Sequence, residues 1–272
     1  MPAGWVPGIL RYWGYARRPL VELLSRRSSL PLNWIRAWVY TYILVAFWRA
    51  VYGHADASAG FSLEQIVSYV VAGQVIGGLF DTTAQDRLER GVREGTVILD
   101  LLKPVRFPFA LLADALGTAG GSLVAQGIPM LVFGLVVFHM TVVAGPAALG
   151  LVLLLAILGF LLRQIMACLV AYSAFWTVRT QGLDRMVNWV VFSFLGGSFV
   201  PYAFFPLWAQ RVLFWSPLAG LYSSPVQVWV GRMPLSSGLG AAAVDVGWIA
   251  VLAGVLALVH ARAMRHVMSF GG

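Results

Sequence analysis

From Ala147 to Trp176 the chain runs thirty residues with Arg163 as its one charged side chain. Crossing a hydrocarbon core of about 30 Å takes about 20 mostly apolar residues in a helix, and this run exceeds that length. Five further stretches meet the same condition, at residues 33–53, 63–85, 110–138, 186–205 and 239–261. A bilayer offers backbone groups no water, so a spanning segment has to satisfy its own N–H and C=O groups, as a helix does. The sequence therefore predicts an all-α membrane protein with six transmembrane helices. Composition agrees, with 60% hydrophobic and 11% charged residues where soluble domains carry about 25% charged. Residues 207–233 are nearly as apolar, but Pro217 and Pro225 cut them into pieces of about ten residues, too short to cross as one helix. Gly145 and Pro146 mark a turn between the third and fourth spans. The expected domains are a cytoplasmic amphipathic segment, residues 1–32, and one transmembrane domain, residues 33–272, with a cytoplasmic loop at 86–109 and an outer segment at 207–233.

Charge gives an independent test of the span count, because short cytoplasmic loops collect Lys and Arg. Six spans place Arg11, Arg17, Arg18, Arg26, Arg27, Arg87, Arg90, Arg93, Lys103, Arg106, Arg179, Arg185, Arg262 and Arg265 on one side. Only Arg211 and Arg232 fall in the opposite loops, with Arg49 near the outer end of the first span. Both termini are expected in the cytoplasm, and a seventh crossing would move the basic C-terminus out. The net charge of +8 then reads as a basic face beside anionic headgroups and calls for no nucleic acid. The first thirty residues have no apolar run between their arginines and are not expected to be a removed leader. Trp5, Ile9, Leu10, Trp13, Leu20, Leu23 and Leu24 alternate with those arginines, the pattern of an amphipathic helix on the inner membrane surface, with Pro19 expected to break it. Eighteen arginines beside a single lysine, with abundant Ala, Gly and Val, suggest a bacterial source of high GC content and hence the bacterial cytoplasmic membrane.

The residues give no catalytic constellation and no metal site. His54, His139, His260 and His266 show no ligand spacing, no G-x-S-x-G elbow occurs, and the lone Cys168 reads as a packing thiol. Gly77-Gly78, the glycines of 117–121 and Gly196-Gly197 lie in apolar helices, where small residues let backbones approach. A phosphate-binding loop needs its lysine followed by Ser or Thr, whereas the only lysine, Lys103, precedes Pro104. The chain is therefore not a P-loop ATPase, and uphill transport would need an ion gradient or a separate subunit. Ion-coupled carriers usually hold ionisable groups deep in the membrane. Asp81, Asp114 and Asp245 sit toward span ends, and the deep candidates are Arg163 and Gln164. Two readings stay open for them: a polar contact between helices or subunits, and part of a substrate path.

The loop at 86–109 carries "REGTVILDLLKPVRFPF" from Arg93. Gly91 and Gly95 interrupt the helix leaving the membrane, Thr96 is a capping residue, and Pro104 ends the next helix about two turns on. Ile98, Leu101, Leu102 and Val105 recur at helical spacing beside Asp100, Lys103 and Arg106. Such an apolar face suits a groove on a soluble partner or the membrane surface.

This stretch resembles the cytoplasmic loop of ABC-2 type permeases, in the group of six-span bacterial exporters. The resemblance continues through "GGSFVPYAFFPLWAQRVLFWSPLAGLYSSPVQVWVG", residues 196–231, similar to that family's outer segment with its Pro, Phe-Pro, Pro and Pro-x-Gln pattern. In relatives the loop's acid stands nearer its glycine than Asp100 stands to Gly95. The resemblance implies the transmembrane permease subunit of an ATP-binding-cassette exporter, not itself catalytic. It implies partnership with a second permease, identical or different, and with two ATPase subunits that hold ATP and Mg. Glu94, Gly95, Ile98, Asp100, Leu101, Leu102, Lys103, Pro104 and Arg106 would form the coupling helix. Pro201, Pro206, Pro217 and Pro225 would shape short re-entrant outer helices between spans 5 and 6. The alternative from the residues alone is an ion-gradient-driven transporter or channel.

Overall fold

The computed structural model describes residues 10–25, 27–53, 60–80, 88, 90–91, 94, 107–141, 145–176 and 186–270, and none of these is in a β-strand. The α-helices in chain order are α1 (Leu10–Ser25), α2 (Leu30–Tyr52), α3 (Leu63–Gly77), α4 (Phe107–Ser122), α5 (Ile128–Val137), α6 (Pro146–Tyr172), α7 (Leu207–Trp215), α8 (Ser223–Trp229) and α9 (Leu235–Phe270). Among the described residues two π-helical segments interrupt this order. Leu123–Gly127 joins α4 to α5 without a break, and Val187–Phe194 lies between α6 and α7.

Local sequence explains several boundaries. The Ser62 hydroxyl accepts the Gln65 N–H at 3.2 Å while Gln65 Oε1 accepts the Ser62 N–H at 3.1 Å, a reciprocal cap that starts α3. α6 starts at Pro146, where a missing N–H leaves no helical bond unmade, directly after Gly145 at φ +89°. Between α4 and α5, Pro129 has no N–H to offer the carbonyl four residues back, on Ala125. The helix widens there, with the Ile128 N–H bonding to the Leu123 carbonyl, and the Trp34 indole of α2 donates to the Ala125 carbonyl. A tertiary donor thus replaces the one proline lacks.

α3 is the centre of the bundle. Ile66, Tyr69, Val70 and Val71 are fully enclosed, as expected of a helix apolar all round. Val45 and Trp48 of α2, Phe160 and Leu162 of α6, and Leu221, Tyr222 and Val226 around α8 pack in the same core. α9 lies at the periphery. One face meets α6, with Ala241 and Ala242 beside Leu151, Leu155 and Leu158, while Val251, Val255 and Leu258 stay exposed. Among the described residues four stretches are long and apolar enough to cross a membrane: Leu63–Phe80, Phe109–Val137, Pro146–Phe175 and Leu235–Arg265. α2, at 23 residues, reaches about 34 Å at 1.5 Å per residue and bears Arg36 and Arg49 toward its ends.

Two expectations change. The fifth stretch does not stay helical to residue 205: its helix ends at Phe194, and Gly197 at φ +82° turns the chain toward Pro201. Gly196 permits this end, since its backbone lies against the Phe192 carbonyl and the Tyr222 ring. Pro19 does not break α1, which continues through it. A proline inside a helix costs about 3 kcal/mol, and packing along α4 offsets it. Tyr12 meets Phe109 edge-on at 6.4 Å, Gly117 touches the Ala16 carbonyl, and Trp13, Arg17 and Arg18 remain outside.

Candidate functional site

The loop expected to receive a partner is described only at its margins. Glu94 is exposed, and its N–H bonds to the Arg90 carbonyl at 2.9 Å. Gly95, Ile98, Asp100, Leu101, Leu102, Lys103, Pro104 and Arg106 lie outside the described residues. What the loop connects is clear from its two ends. Leu88 is buried against Ala171, Tyr172 and Phe175 near the end of α6 and Ala263 of α9, where the Tyr172 hydroxyl and His260 Nδ1 are 2.8 Å apart. At the other end Phe107 opens α4, which carries α1. The described margins of the loop thus adjoin α4 at one end and the α6–α9 pair at the other.

Arg163 projects from the middle of α6 and is almost wholly buried. Its Nη2 donates to Asn188 Oδ1, and its guanidinium carbon stands 4.3 Å from the centre of the Phe192 ring. Asn188 and Phe192 are four residues apart on the π-helical segment, so that segment presents an acceptor and an aromatic face to the same cation. A desolvated cation over a ring is worth about 2 kcal/mol, and a hydrogen bond to a charged group about 1.5–3 kcal/mol. The guanidinium therefore clamps α6 to the π-helical segment. Gln164, the next residue, is also buried.

The segment 196–231, expected to be the outer one, is built around its prolines. Pro201 and Pro206, both extended at ψ 147°, precede the turn Tyr202–Phe204 and α7. Ser216 and Pro217 follow the end of α7. Pro225 does not cut the chain, contrary to its reading in the sequence: it is the third residue of α8, within the first turn, where an N–H has no helical acceptor. The segment is tied to the bundle by donors from several helices. The Tyr69 hydroxyl donates to the Gly197 carbonyl at 2.6 Å, Trp48 Nε1 to the Phe199 carbonyl at 3.2 Å, and Trp248 Nε1 to the Trp215 carbonyl at 2.8 Å. Replacing Tyr69 by phenylalanine leaves the Gly197 carbonyl unpaired in the core. The expected loss is about 1–2 kcal/mol, read as a lower midpoint of thermal unfolding in detergent.

The turn between α7 and α8 penetrates deeply. The Gly220 carbonyl rests against Gly159, about 20 Å along α6 from its start. Asp245 of α9 is 2% exposed and its carboxylate packs against Gly220 on the other side. Its Oδ2 has no hydrogen-bond partner among the described residues. Sequence reasoning set Asp245 aside as belonging to a span end. The available signal was its isolation, as the one carboxylate in α9, since ionisable side chains at membrane depth are costly to keep.

These features define a multi-pass, all-α membrane domain in which the segment 196–231 folds back into the bundle. A profile described as ABC-2 family transporter protein matches residues 38–271. The chain belongs to that family, whose members are membrane components of ATP-binding-cassette transporters. No curated protein matches it.

Proposed function

We infer that the chain is the permease subunit of an ATP-binding-cassette exporter in a bacterial cytoplasmic membrane. The family match over residues 38–271 carries this reading. Six spans, with both termini cytoplasmic, build a substrate path together with a second permease. Two separate ATPase subunits bind ATP and Mg and seat on residues 86–109, with the apolar face of Ile98, Leu101 and Leu102 in a cleft of the ATPase. The missing phosphate-loop lysine supports a motor on another chain. Closure of the ATPase pair would draw the two loops together and shift α4, α6 and α9 as packed bodies.

The test is co-purification with the cognate ATPase. Leu101→Asp together with Leu102→Asp is expected to lower recovery of the ATPase at least tenfold, with the permease still inserted in the membrane. Undiminished recovery with undiminished ATP hydrolysis by the complex would overturn this placement. Solute flux through the purified chain alone, driven by an ion gradient without ATP, would favour a secondary transporter.

A further inference from the structure

Between α2, α3, the α4–α5 helix and the second π-helical segment lies a cavity of about 340 Å³, within the range of small-molecule sites. Both π-helical segments reach it: Gln126 comes from Leu123–Gly127, and Trp189 and Ser193 come from Val187–Phe194. Widened turns re-aim side chains and collect at functional sites. Two such turns from separate helices converging on one space is more than bundle packing requires.

The lining has a consistent chemistry. Its polar side chains are amides, hydroxyls, phenols and an indole, none of them charged at neutral pH, and Gln74 of α3 faces the same space as Gln126. Neither carboxamide has a hydrogen-bond partner among the described residues. An amide at membrane depth is poorly satisfied by an apolar surround, so these two groups await donors and acceptors from an occupant. Arg163 is directed at Asn188 and Phe192 and does not line the cavity. Trp189 and Tyr40 stand exposed at the rim, and Ala37, Met130 and Phe199 supply the apolar wall.

We propose that this cavity binds the uncharged, hydroxyl-rich head of an amphiphile, with Gln74 and Gln126 as its hydrogen-bonding pair and Trp189 as the flat surface beside it. A head bearing a full charge is disfavoured, because no opposite charge lines the site to compensate its desolvation. The proposal rests on the exporter reading only in naming this molecule as cargo; binding itself requires neither nucleotide nor ATPase.

The probe is an alkyl glucoside carrying a photoreactive diazirine on the chain carbon beside the sugar, added without ATP to the full permease–ATPase complex in lipid nanodiscs. Labelling is expected to concentrate on the peptides around Gln74, Gln126 and Trp189. Dodecyl maltoside should compete at least tenfold better than dodecyl sulfate or dodecyltrimethylammonium. Gln74→Leu with Gln126→Leu should reduce labelling about tenfold. Gln126→Glu guards against a misfolded double variant, since it should make dodecyltrimethylammonium the better competitor. Even labelling of all lipid-facing helices, equal competition by the three amphiphiles, or an unchanged preference in Gln126→Glu would overturn the proposal. Each of those results leaves the ATPase co-purification test unaffected, so the two readings fail separately.

Discussion

Alanine at Gly159 is expected to destabilise the folded chain by about 2–3 kcal/mol, the range of an overpacked interior. Alanine at Gly150 on the same helix should stabilise it by up to about 1 kcal/mol. Both residues belong to α6 and differ by about two and a half turns. A side-chain carbon at Gly159 would overlap the Gly220 carbonyl and reach Leu221, both backbone atoms of the turn between α7 and α8. Backbone cannot rotate away as a flexible side chain can, so α6 and the turn have to separate. Gly150 has open space around the same position, and alanine there only improves helix propensity. Paired midpoints of thermal unfolding in one detergent check the contrast. Equal effects at both sites would mean that the turn does not rest on α6.

The second large effect is an asymmetry between Arg163 and Asn188. Asn188→Leu removes an acceptor from a cation that stays buried, at an expected cost of about 2–3 kcal/mol. Arg163→Leu removes the cation together with its desolvation penalty and leaves a neutral amide to be accommodated, at about 1–2 kcal/mol. The double variant should then be more stable than Asn188→Leu alone, a coupling that a double-mutant cycle reads directly. Arg163→Lys separates the two roles left open by the sequence. As a clamp, the residue loses its planar contact with Phe192 and the unfolding midpoint falls. As part of the path, it keeps the midpoint and changes substrate-stimulated ATP hydrolysis.

The helical class and most long helices are visible in the sequence because membrane depth imposes a length and a polarity on each stretch. Arg163 stands out for the same reason, as a charge inside thirty apolar residues. Its partner does not. Asn188 is one polar residue among many near Met186, and only the packing of two helices shows that it meets the guanidinium. Pro19 and Pro225 share one lesson from opposite directions. The sequence marks both as breaks, yet one is held by contacts with α4 and the other falls where a helix has no bond to lose. Asp245 reads as peripheral in the sequence because the turn at Gly220 is invisible there: a segment folding back into the bundle leaves no periodic signal. The widened turns are equally silent: Pro129 explains one after the fact, and Val187–Phe194 contains no proline.

Those widened turns carry a consequence for comparing this chain with its relatives. A π turn is an α-helical turn with one extra residue accommodated, so losing any one residue of Leu123–Gly127 would tighten that turn, while Pro129 would still leave the carbonyl four residues before it without a backbone donor. Because the widened turn sweeps about the same angle as a regular turn with one residue fewer, α4 and α5 would keep their faces, and the change would fall on which side chain meets the cavity at Gln126 while every apolar residue stayed apolar. Relatives that differ here by a single-residue gap should diverge in what they carry, even where hydropathy and overall identity show no difference.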